Sequence, residues 1–269
     1  MPLEKISDHL HLGYTVSTMS QMQRLGSAVS SICISYPKAG RTWLRFMLGE
    51  YLSARPDPRL RMAFVHDGAD GNACDFEHVW YDTYPFLVLI RDPRDIVVSH
   101  YFQITRRDRS FGHAHPHELR RDYPISEFLR RDDFGIDSVI GFYNEWFVED
   151  RTRLISYEQM SSAPEEVLRR VLNFLGVFVD EARISAAVSA STFVRLQQRE
   201  RDNPTRSELL RPGDPTDPTS FKVRRGEVGG HRHDLSDDDI VFLNRRVNDT
   251  LVPAILRDWY CHEFLREST

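Results

Sequence analysis

One lysine of this chain stands where an anion can be held. Lys38 lies in the segment Tyr36–Trp43, between an apolar run rich in β-branched residues (31–35) and an amphipathic run that begins at Trp43. This order predicts a strand, a tight turn and a helix. The unpaired N–H groups of the helix and the positive end of its dipole meet at the turn, where they favour an anion such as a phosphate. The ammonium of Lys38 can reach a phosphate oxygen, and the hydroxyl of Thr42 can either cap the helix or donate to the same phosphate.

The order of residues in this turn differs from the common nucleotide loop. In the pattern G-x-x-x-x-G-K-S/T the lysine follows the second glycine, whereas Lys38 precedes Gly40 by two positions. A P-loop kinase that uses ATP is therefore disfavoured, and it is kept as an alternative function.

A second candidate anion site follows a later apolar run. Residues 86–90 are continuously apolar, which predicts a strand buried on both faces of a parallel sheet. Asp92 can cap a helix whose first residue is Pro93. Arg91 then stands at the carboxyl end of the strand, where the ligands of open α/β sheets bind. Ser99 lies about two turns into the helix.

The elements that position these residues alternate along the chain. Strands are predicted near 31–36, 62–66, 86–91 and 153–157, and helices near 41–53, 93–106, 124–132, 136–149, 163–175, 180–189, 192–201 and 236–258. Such alternation predicts a three-layer α/β/α fold with a central parallel sheet. A length of 269 residues suits one domain over residues 1–269. Segments 67–80 and 203–220 are predicted to be loops or lids.

Two histidines are candidates for a general base near neutral pH. His66 ends the predicted strand 62–66, and the carboxyl ends of parallel strands lie side by side, so its imidazole can face Lys38. His100, next to Ser99, is the alternative. A metal site is not expected at His113, His115 and His117, because alternate residues share a face only in an extended strand.

Taken together, these segments resemble the cytosolic-type sulfotransferases, which use 3′-phosphoadenosine 5′-phosphosulfate (PAPS). Residues 36–43 are similar to the family's Y-P-K-S-G-T-T-W loop, with Ala39 and Arg41 in place of serine and threonine. Residues 91–99 are similar to its R-D-P-R-D-V-x-V-S motif, whose first arginine and serine hold the 3′-phosphate. Residues 221–231 resemble R-K-G-x-x-G-D-W-K, with Gly230 and His231 replacing the aspartate–tryptophan pair.

The resemblance implies a role for individual residues. Tyr157 lies in a segment similar to x-Y-E-D-M and Phe193 in one similar to T-S-F, both of which border the adenine. His66 matches the family's catalytic histidine by position and by one residue of a K-T-H motif. The implied catalytic residues are Lys38, His66 and Ser99. The implied cofactor-binding residues are Lys38, Ala39, Gly40, Arg41, Thr42, Trp43, Arg91, Ser99, Tyr157, Ser191, Phe193, Arg224, Arg225 and Gly226.

The activity that this resemblance implies is sulfuryl transfer from PAPS to a hydroxyl or amine of a small soluble acceptor. Lys38 would act at the bridging oxygen and His66 as the base, without a metal, and 3′-phosphoadenosine 5′-phosphate (PAP) would be the product. A non-catalytic nucleotide-binding relative is a second alternative. The acceptor is not indicated, because the variable segments near 67–84, 105–125 and 203–220 would build its pocket.

Composition narrows the partners and the location. The net charge of −5 disfavours nucleic acid, and no run approaches 18 apolar residues, so no membrane span is expected. The first thirty residues lack the uninterrupted apolar core of a secretory signal. Cys33, Cys74 and Cys261 are too widely spaced for a metal cluster or a disulfide framework, which favours a cytoplasmic location. The sequence leaves a homodimer open.

Overall fold

A parallel sheet organises the fold. The computed structural model describes residues 14–16, 30–53, 62–66, 84–108, 116–147, 153–202 and 210–251. The strands are β1 (Tyr14–Val16), β2 (Ser31–Ser35), β3 (Met62–His66), β4 (Phe86–Ile90) and β5 (Arg153–Ser156). They lie in the order β1-β3-β2-β4-β5, and all neighbours are parallel.

The strand order creates a crevice between β2 and β4. Every residue of these two strands is buried, as expected for apolar strands with helices on both faces. From β2 the chain moves outward to β3 on one side, and β4 and β5 lie on the other side. Such a switch point is where ligands bind in open α/β sheets. Lys38 follows the end of β2 closely, and Arg91 is the first residue after β4.

Helices cover both faces of the sheet. Their bounds are α1 (Arg41–Ser53), α2 (Pro93–Phe102), α3 (Ile125–Leu129), α4 (Ile136–Trp146), α5 (Tyr157–Ser162), α6 (Pro164–Phe174), α7 (Glu181–Ala190), α8 (Phe193–Asp202) and α9 (Asp237–Thr250). Helices α1, α6 and α7 pack together, and α2, α3, α4 and α9 form a separate packed group. Right-handed crossovers to opposite sides of β2 place these groups on opposite faces. The predicted three-layer α/β/α fold is confirmed.

Two helix starts fix residues at the crevice. The Asp92 carboxylate accepts the N–H of Arg94 at 2.9 Å and caps α2, as predicted. Strands β2, β4 and β5 each end one residue earlier than predicted. Ser156 and Gln159 form a capping box, in which the Ser156 hydroxyl accepts the Gln159 N–H at 3.0 Å. Tyr157, predicted as the end of a strand, is therefore the first residue of α5.

Other differences lie in short or irregular segments. The predicted helix 93–106 changes into a π-helical turn at Gln103–Arg107, a feature that is frequent at functional sites. In the predicted loop 203–220, the described residues 210–220 fold back on themselves, with the Asp214 N–H donating to Ser220 Oγ at 2.8 Å. The rest of that loop, residues 67–80 and His113 and His115 lie outside the described residues. Of the described helices, none is long and apolar enough to cross a bilayer.

Candidate functional site

A cavity of about 570 Å³ lies at the carboxyl ends of β2 and β4. It gathers most of the implied cofactor-binding residues: Lys38, Gly40, Arg41, Thr42, Trp43, Arg91, Ser99, Tyr157, Phe193, Arg224, Arg225 and Gly226. Ala39 and Ser191 do not line the cavity and are fully buried. Thr192 lines it in place of Ser191.

The turn after β2 has an unusual backbone. Lys38 has a φ of 74°, the only positive φ of a non-glycine residue in the described ranges. This left-handed conformation costs about 1–2 kcal/mol. Gly40 has a φ of 104°, and a Cβ at that position would lie 2.6 Å from Cδ2 of Tyr157. Glycine is therefore required there on both counts. The Trp43 N–H donates to the Gly40 carbonyl at 2.9 Å and starts α1.

The amine of Lys38 is half-buried in the cavity wall. Its Nζ donates to Oε1 of Gln103 at 3.0 Å, and no carboxylate of the described residues forms an ion pair with it. Burial, together with repulsion from Arg107, lowers the pKa of Lys38 to about 7. An anion beside this amine would stabilise the charged form and raise its pKa.

Arg91 joins the two sides of the cavity. Its Nη1 donates to the Lys38 carbonyl at 3.3 Å, and its Nη2 donates to the Glu227 carbonyl at 3.1 Å. The guanidinium lies over the Tyr157 ring, 4.1 Å from its centroid. The Arg91 backbone is fixed by the hydroxyl of Tyr143, which accepts the Arg91 N–H at 2.8 Å and donates to its carbonyl at 2.6 Å. The Cα of Arg91, from which the side chain extends, is therefore held in a fixed position.

Further donors face the same space as Arg91. Of the described residues, none forms a hydrogen bond with the Ser99 hydroxyl, which lines the cavity. Arg224 and Arg225 bond the Asp234 carboxylate, with shortest distances of 3.1 Å and 3.0 Å. Gly226 has a φ of 67°, and a Cβ there would lie 2.1 Å from the Phe193 ring. Glycine is therefore required at this position, both by its backbone conformation and by the contact with Phe193.

Aromatic rings form another part of the wall. Trp43 and Tyr157 meet edge to face, with centroids 5.5 Å apart, and Phe193 lines the cavity with them. Aromatic faces bordered by cations suit a nucleotide, because the rings can contact a base while the cations hold its phosphates.

Comparison with known proteins decides the family. A sulfotransferase-domain model matches residues 76–252 of this chain, which is more than half of its length. The chain belongs to the sulfotransferase family. The predicted membership among PAPS-dependent, cytosolic-type sulfotransferases is confirmed, and so is the predicted enzyme class. The matched range includes Arg91 and Ser99 but not the turn at Lys38.

Three known proteins illustrate what this sulfotransferase is similar to. Human sulfotransferase 1C2 is 24% identical over 268 residues, which cover 84% of this chain and 85% of the relative. Mouse sulfotransferase SULT7A1, solved with PAP, has a TM-score of 0.57 at 15% identity and covers 88% of this chain and 90% of its own. Retinol dehydratase, solved with androsterone and PAP, has a TM-score of 0.58 at 13% identity, with coverages of 85% and 81%.

The segment that follows Gly226 in this sulfotransferase is anchored by Asp95. The Asp95 carboxylate accepts three hydrogen bonds of 2.9 Å, from the N–H groups of Gly229 and His231 and from Nδ1 of His231. Although burial raises the pKa of Asp95, the bonds from His231 and the charge of Arg91 lower it to about 2. His231 thus supplies an anchor at the position where the family motif has tryptophan.

Asp95→Asn should reduce the stability of the fold. The amide cannot reproduce a carboxylate that accepts three bonds, so the free energy of unfolding at neutral pH should fall by about 1.5–3 kcal/mol. Because the pKa of Asp95 is lower in the folded state, its stabilising effect is complete above the unfolded pKa of about 3.9 and disappears as the pH falls towards 2. Urea denaturation at pH 7 and at pH 3 measures both effects.

The matched control is Asp249→Asn, because Asp249 pairs with Arg245 on an exposed helix surface. This substitution should change the free energy of unfolding by less than about 0.5 kcal/mol. An Asp95→Asn variant as stable as this control at pH 7 would contradict the anchoring role.

The two candidate bases are placed differently. The backbone of His66 ends β3 and is paired in register with Ser35 of β2. Ser35 precedes the turn at Lys38 by only a few residues. The side chain of His66 lies outside the described part of the structure. His100 lines the cavity and is buried, with its ring packed edge-on against Tyr36 and Phe134.

Sequence reasoning missed several residues at the site. Gln103 and Lys222 line the cavity, and Glu158 bonds the backbone at the start of α2. Glu158 Oε1 accepts the N–H of Asp92 at 2.9 Å, and burial raises the pKa of Glu158 to about 8. The sequence does contain a signal for Lys222, because it is one of only three lysines among 35 basic residues.

Proposed function

We propose that this sulfotransferase holds PAPS across the cavity and transfers the sulfuryl group to a hydroxyl or amine of a small acceptor. The 5′-phosphosulfate lies at the turn before α1, and the 3′-phosphate lies at Arg91 and Ser99. One observation carries this proposal: Nη1 of Arg91 bonds the Lys38 carbonyl at 3.3 Å, so both implied phosphate sites open into one cavity.

The residues of the cavity fit this nucleotide. The positive end of the α1 dipole and the Lys38 amine suit the 5′ end. Arg91, Arg224 and Arg225 supply guanidinium groups for the 3′-phosphate, and Trp43 and Tyr157 offer rings for the adenine. Among the described residues, no group of three or more His, Cys, Asp or Glu side chains is arranged to hold a metal ion.

The chemistry follows from the placement of donors. PAPS supplies a sulfuryl group attached to an oxygen of its 5′-phosphate. The Lys38 amine donates to that bridging oxygen as negative charge develops on it. The bond between sulfur and the bridging oxygen breaks as the acceptor oxygen or nitrogen bonds to sulfur, and PAP leaves. We assign the acceptor proton to His66, because its strand pairs in register with β2.

The domain organisation and the cellular location of the protein are part of the same proposal. We assign the activity to one domain over residues 1–269. The cytoplasmic location stays a prediction, and a homodimer stays open.

The deciding experiment measures transfer and binding together. The purified chain should bind PAP, and with labelled PAPS it should sulfate at least one acceptor from a panel of phenols, alcohols and amines in the presence of EDTA. Sulfate release from PAPS without an acceptor, with water as the nucleophile, gives a readout that does not depend on the panel. Transfer of phosphate from ATP only with Mg²⁺ would favour a kinase. Binding of PAP without transfer or hydrolysis would favour a non-catalytic relative.

A further inference from the structure

A second lysine faces the cavity that contains Lys38. Lys222 is half-buried, and it is one of the three lysines in the chain, two of which line this one space. Within the described ranges, no carboxylate forms an ion pair with the Lys222 ammonium, and no acceptor takes a hydrogen bond from it. The implied sites for the 5′ and 3′ ends of the nucleotide do not include it.

The backbone around Lys222 is fixed by α8. Glu200 is fully buried, and its two carboxylate oxygens accept the N–H groups of Lys222 at 2.7 Å and Val223 at 2.9 Å. Gln197, one turn earlier, donates to the Val223 carbonyl at 3.2 Å. The buried carboxylate of Glu200 therefore has hydrogen-bond partners on both oxygens, and these bonds hold the backbone of residues 222 and 223 in place. The Lys222 side chain lines the cavity, and within the described ranges no ion pair joins its ammonium to Glu200.

Packing shows where the segment of Lys222 lies. Val223, the next residue, packs against an apolar cluster that contains Phe46 of α1, and Trp43 of the same helix packs against this cluster too. The segment therefore lies beside the helix that follows the turn at Lys38. Burial, and then repulsion from the surrounding cations, lower the pKa of Lys222 well below its usual value. Lys222 is therefore grouped with the 5′ end of the cavity.

We propose that Lys222 is a second cationic ligand of the 5′-phosphosulfate and donates to the terminal oxygens of the sulfuryl group. The phosphosulfate carries two negative charges, one on the phosphate and one on the sulfate. Lys38 at the bridging oxygen and Lys222 at the sulfuryl oxygens provide one ammonium for each part of this dianion. The inference rests on the proposed function, because it requires that PAPS binds in this cavity.

The test compares two nucleotides that differ only in the sulfuryl group. In Lys222→Met, the affinity for PAPS should fall by about ten- to a hundredfold, the equivalent of one lost charged hydrogen bond. The affinity for PAP should fall by less than about threefold, because PAP lacks the group that Lys222 contacts. Competition binding in the cold, without an acceptor, measures both values. Lys222→Arg, which keeps the charge, should recover most of the PAPS affinity.

Arg195→Met is the control for net charge. Arg195 is exposed on α8 and does not line the cavity, so this variant should bind both nucleotides like the wild type. Thermal unfolding of each variant shows whether the segment keeps its packing.

Three results would overturn the assignment of Lys222. An equal loss for PAPS and PAP would mean that the side chain only supports the backbone of its segment. Unchanged affinity for both would mean that it contacts neither nucleotide, and a change confined to the KM of the acceptor would place it in the acceptor pocket. If the wild type binds neither PAPS nor PAP, the proposed function itself fails, and the Lys222 role fails with it.

Discussion

Lys38→Ala should lower the rate of sulfuryl transfer by about 10²–10³-fold, because one donor to the charge that develops in the transition state is lost. Binding of PAP should weaken by only about tenfold, since the N–H groups that begin α1 and the guanidinium of Arg91 remain. Single-turnover transfer with saturating PAPS isolates the chemical step, and equilibrium binding of PAP measures the nucleotide site. Turnover within threefold of the wild type would remove Lys38 from the mechanism.

The titration of Lys38 gives an independent readout of the same variant. Burial first, and then repulsion from Arg107, lowers the pKa of this amine to about 7 in the free protein. As the pH rises above 7 the free amine loses its proton, and an anion favours the charged form. Binding of PAP should therefore take up protons and weaken as the pH rises above 7. Calorimetry at pH 8 in buffers of different ionisation enthalpy should show less proton uptake by Lys38→Ala than by the wild type.

Matched variants separate charge from shape at Lys38. Lys38→Arg keeps a cation but cannot titrate near neutrality, so it should retain PAP binding and lose the dependence of affinity on pH. Proton uptake that is identical in the wild type and in Lys38→Ala would show that the amine does not meet the phosphate.

Arg91→Ala should weaken the binding of PAP by about ten- to a hundredfold or more, while the affinity for adenosine 5′-phosphosulfate should change little. Charged hydrogen bonds to the 3′-phosphate are each worth about 1.5–3 kcal/mol, and adenosine 5′-phosphosulfate lacks that phosphate. Parallel titrations of the two nucleotides with the same variant measure the difference.

The contacts of Arg91 make this comparison necessary. The side chain also bonds the carbonyls of Lys38 and Glu227, so its removal frees the turn before α1 and the segment after Gly226. Loosening of those segments would weaken the binding of both nucleotides alike. An equal loss of affinity for PAP and for adenosine 5′-phosphosulfate would therefore refute a specific role of Arg91 at the 3′-phosphate. Ser99→Ala should show the same selectivity to a smaller extent, because Ser99 contributes one neutral donor and forms no hydrogen bond with any other described residue.

The sequence was sufficient to predict those parts of the fold that depend on residues close together along the chain. The apolar runs of β2 and β4 and the Asp92 cap each depend on a few neighbouring residues, and the structure has them where they were predicted. The approach of Lys38 to Arg91 also followed, because parallel strands bring their carboxyl ends to one edge. Tyr157 was predicted to be the last residue of a strand, although Ser156 and Gln159 form the S-x-x-Q pattern of a capping box.

The remaining features depend on distant polar partners. The Tyr143 hydroxyl bonds the backbone of Arg91 across 52 positions, and Asp95 bonds His231 across 136. The hydrophobic periodicity of a sequence indicates which face of a helix or strand is buried. It does not indicate which distant carboxylate forms a hydrogen bond with which amide. For the same reason Glu200 gave no sign of its role. Ser191 and Thr192 differ by a single step in register, which a short motif does not resolve.

The bonds from Glu200 and Gln197 have a consequence for how this enzyme can diversify. Helix α8 itself holds the backbone at Lys222 and Val223 through three hydrogen bonds. Insertions, deletions or exchanges between Asp202 and Leu210 should therefore leave the affinity for PAP unchanged. Chimeras that swap only this stretch test that expectation, and an altered acceptor preference would support the prediction that segment 203–220 builds the acceptor pocket.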